Sequence, residues 1–113
     1  MNLNNLLVQR GDKLPHVTFD TRSWQGRIPT KSGKFYFSII AGPHAYCSPR
    51  EFMEKPNYSE MEVGIFSTET NDWATEQDCQ PVFDTIGMGE CQYGQAVFPY
   101  IETEKILEAL ELL

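Results

Sequence analysis

The sequence predicts an α+β fold, in which a small antiparallel sheet is combined with a short N-terminal helix, a short middle helix and a C-terminal amphipathic helix. Three observations predict this class: an apolar run of strand length at Phe35–Ala41, alternating apolar and acidic residues at 58–67, and apolar residues at helical spacing in 101–113. The chain has 113 residues and is 41% hydrophobic. Its length fits one domain that covers residues 1–113.

The N-terminal part is predicted to begin with a helix over residues 2–10. Asn2 suits the N-cap and Gly11 suits the left-handed position that ends a helix. Three leucines fall at helical spacing between them: Leu3, Leu6 and Leu7. Residues 16–20 alternate as in a strand, whereas glycine and proline punctuate residues 21–33 and predict a long loop there.

The middle of the chain predicts a central strand followed by a short helix. The run Phe35–Ala41 is apolar on both faces and too short for a lone buried helix, so we expect a strand inside the sheet. The sequence Ser-Pro-Arg-Glu at 48–51 matches a capping box with proline at the first helical position. Pro56 limits that helix to one or two turns, because the residue before a proline avoids helical geometry.

A second strand is predicted at 58–67, with one buried face and one solvated face. Met61, Val63 and Ile65 point one way, while Glu60 and Glu62 point the other. Turn-forming residues follow at 68–72, so that 73–75 can return as a partner strand. Further short strands are predicted at 82–86 and 96–98, and the glycine-rich segment 87–94 between them is predicted to be a loop.

The C-terminal segment 101–113 is predicted to be an amphipathic helix. Its apolar stripe consists of Ile106, Leu107, Leu110 and Leu113. Glu104, Glu108 and Glu111 follow the opposite side at i, i+4 and i+7. Glu102 and Glu104 also suit the positive end of the helix dipole.

Charge is divided unevenly along the chain. Residues 1–50 contain seven bases and two acids, a net charge of plus 5, whereas residues 51–113 contain two bases and fourteen acids, a net charge of minus 12. Such asymmetry indicates an electrostatic partner, because a surface of one sign attracts and selects the opposite sign. The carboxylates predicted to bind that partner are Glu60, Glu62, Glu69, Asp72, Glu76, Asp78, Glu104, Glu108 and Glu111.

Glu60 and Glu62 provide a spacing argument for the kind of partner. Two residues along a strand advance by about 6.6 to 6.8 Å, close to the axial advance of two nucleotides in one DNA strand. A surface of such carboxylates fits a cationic groove that is meant for nucleic acid.

Direct nucleic-acid binding is not predicted, although the basic half has suitable residue types. Four cations surround Trp24 in sequence: Arg22, Arg27, Lys31 and Lys34. The overall charge of −7 argues against this function, since nucleic-acid-binding domains usually carry net positive charge. No apolar run approaches the roughly 20 residues that span a bilayer, and the N-terminus lacks signal-peptide features. We therefore expect a cytoplasmic protein with no membrane partner.

Two kinds of chemical site were weighed around His44 and Cys47. Together with Cys79 and Cys91, these residues supply the ligand types of a zinc site, but the sequence lacks the paired CxxC or CxxC with HxxxH spacing. Each cysteine is therefore predicted to be a small buried apolar residue, with no metal or other cofactor and no catalytic residue. A Cys47 thiolate activated by His44, in a small enzyme, is the alternative.

Three segments resemble small uncharacterised proteins of phage and prophage genomes: FSIIAGPHAYCSPRE at 37–51, YSEMEVGIFS at 58–67 and VFPYIETEKILEALEL at 97–112. Small acidic phage proteins of this type include anti-CRISPR and other anti-defence inhibitors. The resemblance implies a non-catalytic inhibitor in the host cytoplasm that binds a basic surface of a bacterial nucleic-acid enzyme, with a CRISPR effector as the leading partner. A small enzyme or metal protein built on His44 and Cys47, and a virion assembly protein whose basic and acidic segments pair between copies, are the alternatives.

Overall fold

Five antiparallel strands and two α-helices form an α+β fold in the computed structural model, which describes residues 2–11, 22–86 and 95–113. The strands neighbour one another in chain order, β1 to β5. The elements are a 3₁₀ helix at Leu3–Leu6, β1 at Val8–Arg10, β2 at Ser23–Pro29, β3 at Phe35–Ala41, β4 at Glu60–Ser67, α1 at Gln80–Ile86, β5 at Val97–Glu102 and α2 at Thr103–Leu112.

The centre of the sheet confirms the two strand predictions made from its residues. β3 lies in the middle of the five strands and has the predicted bounds, and β4 carries the alternating segment. Phe37 pairs with Ile65 and Ile39 pairs with Val63, and all four side chains are fully buried. Residues directly opposite each other in an antiparallel pair share a face of the sheet, so these four side chains lie on one face. Because they are buried, we call it the inner face.

The inner face is covered by the helices and by the segment after β3. Ile106, Ala109 and Leu110 of α2 join the same core cluster as Tyr58 and Val82. The predicted apolar stripe of α2 is thus confirmed for Ile106 and Leu110. The helix begins at Thr103 rather than 101, because residues 97–102 pair with β4 as β5 and thereby extend the strand predicted at 96–98.

The prediction of a helix over 2–10 is wrong beyond Leu6. Asn2 does cap a turn, since its Oδ1 accepts a hydrogen bond from the Asn4 N–H at 3.0 Å, but that turn is a short 3₁₀ helix. Val8–Arg10 then leave it to pair with β2. A helix this short is marginal on its own, so a strand partner for the following backbone decides its length.

The long loop predicted at 21–33 is also wrong, because most of it is β2. This strand pairs with β1 on one side and β3 on the other. Its glycine has a packing reason: a Cβ on Gly26 would lie 3.3 Å from the backbone oxygen of Leu6, so a larger residue would push the N-terminal turn away. Pro29 is the last residue of the strand, where a missing N–H is tolerated.

The capping box predicted at 48–51 forms no helix. The peptide bond between Ser48 and Pro49 is cis, and the Ser48 backbone is paired with β4. Ser48 donates its N–H to the Glu60 carbonyl at 3.0 Å and accepts from the Ser59 N–H at 2.9 Å. With its backbone groups engaged in an extended pairing, Ser48 cannot act as the N-cap of a helix.

The short middle helix lies elsewhere, at α1, where a strand was predicted over 82–86. A reciprocal capping box precedes it: the Thr75 N–H donates to Asp78 Oδ2 and the Asp78 N–H donates to Thr75 Oγ1, both at 3.1 Å. These side chains stabilise the first helical turn and explain why α1 follows. The strand predicted at 16–20 and the loop predicted at 87–94 lie outside the described residues.

The turn predicted at 68–72 connects β4 to a returning segment. The Ser67 N–H donates to the Asp72 carbonyl at 2.8 Å, and Trp73 forms a single bridge with Phe66. This pairing extends the outer face of the sheet, which we define as the side opposite the helices. The outer face includes Val8, Arg10, Gln25, Arg27, Tyr36, Ser38, Ile40, Glu62 and Phe66.

Candidate functional site

Three carboxylates meet where β4, β5 and α2 come together. Glu60 pairs directly with Glu102 across the two strands, and Glu104 follows in the first turn of α2. They line a shallow recess of about 360 Å³ together with Ser59 and Thr103. The Thr103 N–H donates to the Ser59 carbonyl at 3.2 Å and so fixes the start of α2 against this end of the sheet.

This arrangement does not serve stability. Like charges directly opposite each other on neighbouring strands are destabilising, and Glu102 makes no side-chain cap bond to α2 that would compensate. Glu104 does interact favourably with the positive end of the helix dipole. The convergence of Glu60 and Glu102 therefore concentrates negative charge at this end of the sheet without a gain in stability.

The helix continues this set of carboxylates along one line. Glu108 and Glu111 are exposed and follow Glu104 at i+4 and i+7, which places them on the same side of α2. We call Glu60, Glu102, Glu104, Glu108 and Glu111 the acidic row. At its far end, Glu111 lies 3.6 Å from Lys31 Nζ, and both side chains are largely exposed. Screening by water makes such a pair weak, so Glu111 remains available to a binding partner.

Of the other predicted carboxylates, Glu62 lies beside the acidic row and the rest lie elsewhere. Glu62 shares the outer face of β4 with Glu60, two residues away, and accepts a hydrogen bond from the Tyr46 N–H at 3.3 Å. Asp72 and Asp78 accept local bonds from Trp73 and Thr75, respectively. Glu69 lies in the turn beyond the far end of β4, roughly 25 Å along the strand from Glu60. Glu76 is exposed in the segment before α1.

Glu102 is the member of the row that the sequence analysis did not include among the binding residues. It was read as part of the C-terminal helix, where it would only complement the dipole. Its position opposite Glu60 depends on the register of β5, and that register contains an irregularity between Met61 and Val63. No local pattern in the sequence reports such a shift.

Two exposed tyrosines lie close to the acidic row. Tyr46 and Tyr100 are 48% and 44% exposed, and their rings contact each other with centroids 5.9 Å apart. The Tyr100 N–H donates to the Tyr46 carbonyl at 2.9 Å, and Tyr100 has a φ of +53°, in the left-handed region. Arg50 lies over the Tyr46 ring at 5.0 Å. A non-glycine residue at positive φ, exposed at a strand irregularity, is typical of a functional surface.

Two of the four basic residues of the predicted stretch lie over aromatic rings, and a third, Lys31, lies near Glu111. Arg22 lies 3.9 Å from the Phe52 ring centroid, and Arg27 lies 5.5 Å from that of Tyr36. Trp24 stacks on Phe52 and donates its Nε1–H to the Met53 carbonyl at 2.7 Å. With its ring covered and its N–H bonded, Trp24 is a packing residue.

The aromatic rings of the outer face form a column. Tyr36 stacks on Phe66 at 5.3 Å, Phe66 stacks on Trp73 at 4.3 Å, and Arg27 covers the remaining face of Tyr36. We call these four residues the aromatic column. Their ring faces are occupied by one another, so a nucleic-acid base has little free face on which to stack.

Cys47 and Cys79 are buried, as predicted for small apolar residues. The Cys47 Sγ lies 3.3 Å from both the N and the O of Gly42 and 3.4 Å from the Pro49 carbonyl oxygen. Burial raises the pKa of the Cys47 thiol, which is the reverse of what activates a nucleophile. Within the described residues, no three His, Cys, Asp or Glu side chains converge as metal ligands. Cys91 lies outside them.

Comparison of the chain with models of protein families, with characterised proteins and with solved structures found no match. In the parts of the chain that the structure describes, no helix combines the length and the apolar composition needed to cross a membrane.

Proposed function

We propose that the protein is a non-catalytic inhibitor of phage type that binds, through its acidic row, a basic nucleic-acid-binding surface of a bacterial enzyme. The observation that supports this is the direct opposition of Glu60 and Glu102 next to Glu104, which costs stability and concentrates negative charge at one recess. The phage resemblance favours a CRISPR effector as that enzyme.

The dimensions of the row suit a surface that contacts phosphates. Glu104 and Glu111 are seven residues apart on α2, which is about 10 Å along the helix axis. One DNA strand carries a phosphate about every 3.4 Å, so this length corresponds to about three nucleotides. Carboxylates at that scale compete with a nucleic-acid backbone for the same lysines and arginines.

The tyrosines add the binding affinity that exposed carboxylates alone do not provide. Charges at the rim of an interface mainly raise the association rate and select the partner, whereas affinity comes from a few anchors, often Tyr, Trp and Arg, that become desolvated. Tyr100 precedes Glu102 by two residues on β5 and contacts Tyr46. The pair is placed to be the anchor beside the acidic row.

The test is inhibition of target-DNA cleavage by purified CRISPR effectors, measured with the wild-type chain and two charge-matched variants. Glu104→Gln with Glu108→Gln removes two charges from the row, and Glu69→Gln with Glu76→Gln removes two exposed charges elsewhere. We expect the first variant to raise the inhibitory concentration at least about tenfold, since two contacts each worth about 1 kcal/mol exceed the 1.4 kcal/mol of a tenfold change. The second variant should stay close to wild type.

Two results would contradict the proposal. One is that the wild-type chain inhibits none of the effectors at low salt, where attraction between exposed charges is strongest. The other is that both variants lose inhibition equally, which would show that net charge acts and the row does not.

A further inference from the structure

A basic recess lies on the outer face of the sheet, between β1 and β3. It has a volume of about 570 Å³, and its lining residues are Leu6, Val8, Arg10, Gln25, Gly26, Arg27 and Ser38. Val8 pairs with Gln25 and Arg27 pairs with Ser38, so these side chains rise from the same face. Among the described residues of this lining there is no carboxylate.

The fold uses Arg27 in a contact with the Tyr36 ring, but it pairs neither arginine of the recess with a carboxylate of the described residues. Both side chains are exposed. The carboxylates of α2 lie on the other side of the sheet, because α2 packs on the inner face. Two exposed cations at one recess, with no carboxylate partner in the described parts of the chain, favour an external anion as their ligand.

The position of Arg27 prepares it for an anion. Its guanidinium carbon lies over the Tyr36 ring, 5.5 Å from the ring centroid, a distance at which a cation is attracted by the ring. A guanidinium offers several N–H donors and can make a two-point contact with a phosphate. Gln25 is also oriented, since its Nε2 donates to Ser23 Oγ at 3.1 Å, and Ser38 adds a hydroxyl.

The spacing of the arginines indicates an elongated ligand. Arg10 pairs with Ser23, and Arg27 lies four residues further along β2, which separates the two positions by about 13 Å along the strand. Each guanidinium then reaches a different anionic group, with the Gln25 amide between them along β2 and the Ser38 hydroxyl beside Arg27 on β3. A chain of linked phosphates presents two separated anionic groups, and a single phosphate does not.

We propose that this recess binds a ligand of linked phosphates, with one phosphate on Arg10 and another on Arg27. This site goes beyond the proposed inhibitory function and does not depend on it. A free polyphosphate and the phosphodiester backbone of a nucleic acid present the same chemistry to the recess. The expectation of no direct nucleic-acid binding set Arg22, Arg27, Lys31 and Lys34 around Trp24 against the net charge of −7, whereas this site combines Arg27 with Arg10 on the outer face.

The experiment titrates the ¹⁵N-labelled full chain with sodium tripolyphosphate and, separately, with a ten-residue oligothymidylate, and follows amide chemical shifts. We expect shifts at Val8, Gln25, Arg27 and Ser38. Arg10→Gln and Arg27→Gln should each weaken binding by about tenfold, as expected for the loss of a charge-assisted contact. Arg50→Gln, which removes an exposed arginine on Tyr46, is the matched control and should leave the affinity unchanged. Raising the salt from about 50 to about 200 mM should weaken binding of both probes.

The two probes separate the sources of the phosphates. Equal affinity for both supports a free polyphosphate, and tighter binding of the oligothymidylate supports a nucleic-acid backbone. Glu104→Gln with Glu108→Gln should not weaken either probe, so this result is independent of the inhibition assay.

Three outcomes would overturn the proposal. Neither probe binds at concentrations up to about 1 mM, or the Arg50 control loses as much affinity as the recess variants. The third is that sedimentation at low salt shows self-association that Arg10→Gln and Glu104→Gln both abolish, because the recess would then hold the carboxylates of a second copy.

Discussion

Asn4 connects the N-terminal turn to the segment that leads into β4. Its side chain is buried and exchanges two hydrogen bonds with the Tyr58 backbone: Nδ2 donates to the carbonyl at 3.1 Å, and Oδ1 accepts from the N–H at 2.8 Å. An amide is suited to this role because it is both donor and acceptor. One side chain thereby satisfies a buried peptide unit that lies outside the strands.

Replacement of Asn4 should lower the free energy of unfolding, because it leaves buried backbone groups without hydrogen-bond partners. Asn4→Ala exposes two buried backbone groups of Tyr58 to an apolar environment, so we expect a loss of about 2 to 4 kcal/mol in the free energy of unfolding in urea. Asn5→Ala, in the same turn but exposed, should change it by less than about 0.5 kcal/mol. Equal losses in the two variants would show that the Asn4 bonds contribute nothing.

Cys47 should make stability decrease at alkaline pH. Burial raises the pKa of its thiol above the ordinary value of 9.0, so the folded state keeps a proton that the unfolded state releases. The free energy of unfolding therefore falls as pH rises from about 9 toward the folded-state pKa.

The check compares urea unfolding of the wild type and Cys47→Ala at pH values from about 7 to 10. The variant should be less stable at neutral pH, because a buried group is lost, but its stability should decline less steeply above pH 9. Parallel curves would contradict the assignment to Cys47. Tyr58, whose pKa burial also raises, contributes to the slope that remains.

At the scale of elements, α2 shows how far a periodic pattern predicts packing. Ile106 and Leu110 point into the core as the spacing required, and Glu104, Glu108 and Glu111 remain in solvent. The start of the helix was predicted two residues too early, because Ile101 and Glu102 pair with β4. Periodicity determines the side that is buried, whereas strand pairing determines where the helix begins.

The packing of α2 gives a graded prediction. Ile106→Ala removes a fully buried side chain against the inner face and should lower the free energy of unfolding by about 2 to 4 kcal/mol. Leu112→Ala, at a position that is 40% exposed on the same helix, should cost less than about 1 kcal/mol. Urea unfolding with a circular-dichroism signal measures both, and a reversed order would mean that α2 does not dock through Ile106.

β2 and α1 show why two elements were predicted wrongly. The residues of β2 include glycine and proline, which suggested a loop, but strands on both sides supply pairing partners for its backbone. The motif at 48–51 has the composition of a capping box, yet pairing with β4 prevents its use, while Thr75 and Asp78 form a working one. Both segments have a capping-box sequence, and tertiary pairing determines which of them is followed by a helix.

At the scale of the whole molecule, the sequence predicted the kind of surface better than its extent. Charge composition indicated an acidic surface, and Glu60, Glu104, Glu108 and Glu111 do share a continuous row. Glu69 and Asp72 are as acidic in sequence but lie apart from it, while Glu62 lies beside Glu60 on the outer face. Membership of the row depends on the register between β4 and β5 and on the docking of α2, which are long-range properties of the fold.

The two charged surfaces also divide the molecule. The carboxylates of α2 lie on the helical side, and Arg10 and Arg27 lie on the outer face of the sheet. The sheet between them limits the mutual neutralisation of these arginines and the α2 carboxylates, whereas Glu60 and Glu62 share the outer face with the arginines. The two proposed binding sites therefore lie on different parts of the surface.

The aromatic column gives the protein an intrinsic optical reporter. Trp73 is the last ring of a stack whose first member, Arg27, borders the basic recess, whereas Trp24 is fixed among the residues beyond β3. We therefore expect Trp73 fluorescence to respond to ligands that move Arg27, and Trp24 fluorescence to respond to changes on the helical side of the sheet. Replacing either indole with phenylalanine leaves a single tryptophan, so that the two sides of the sheet can be observed one at a time without an added dye.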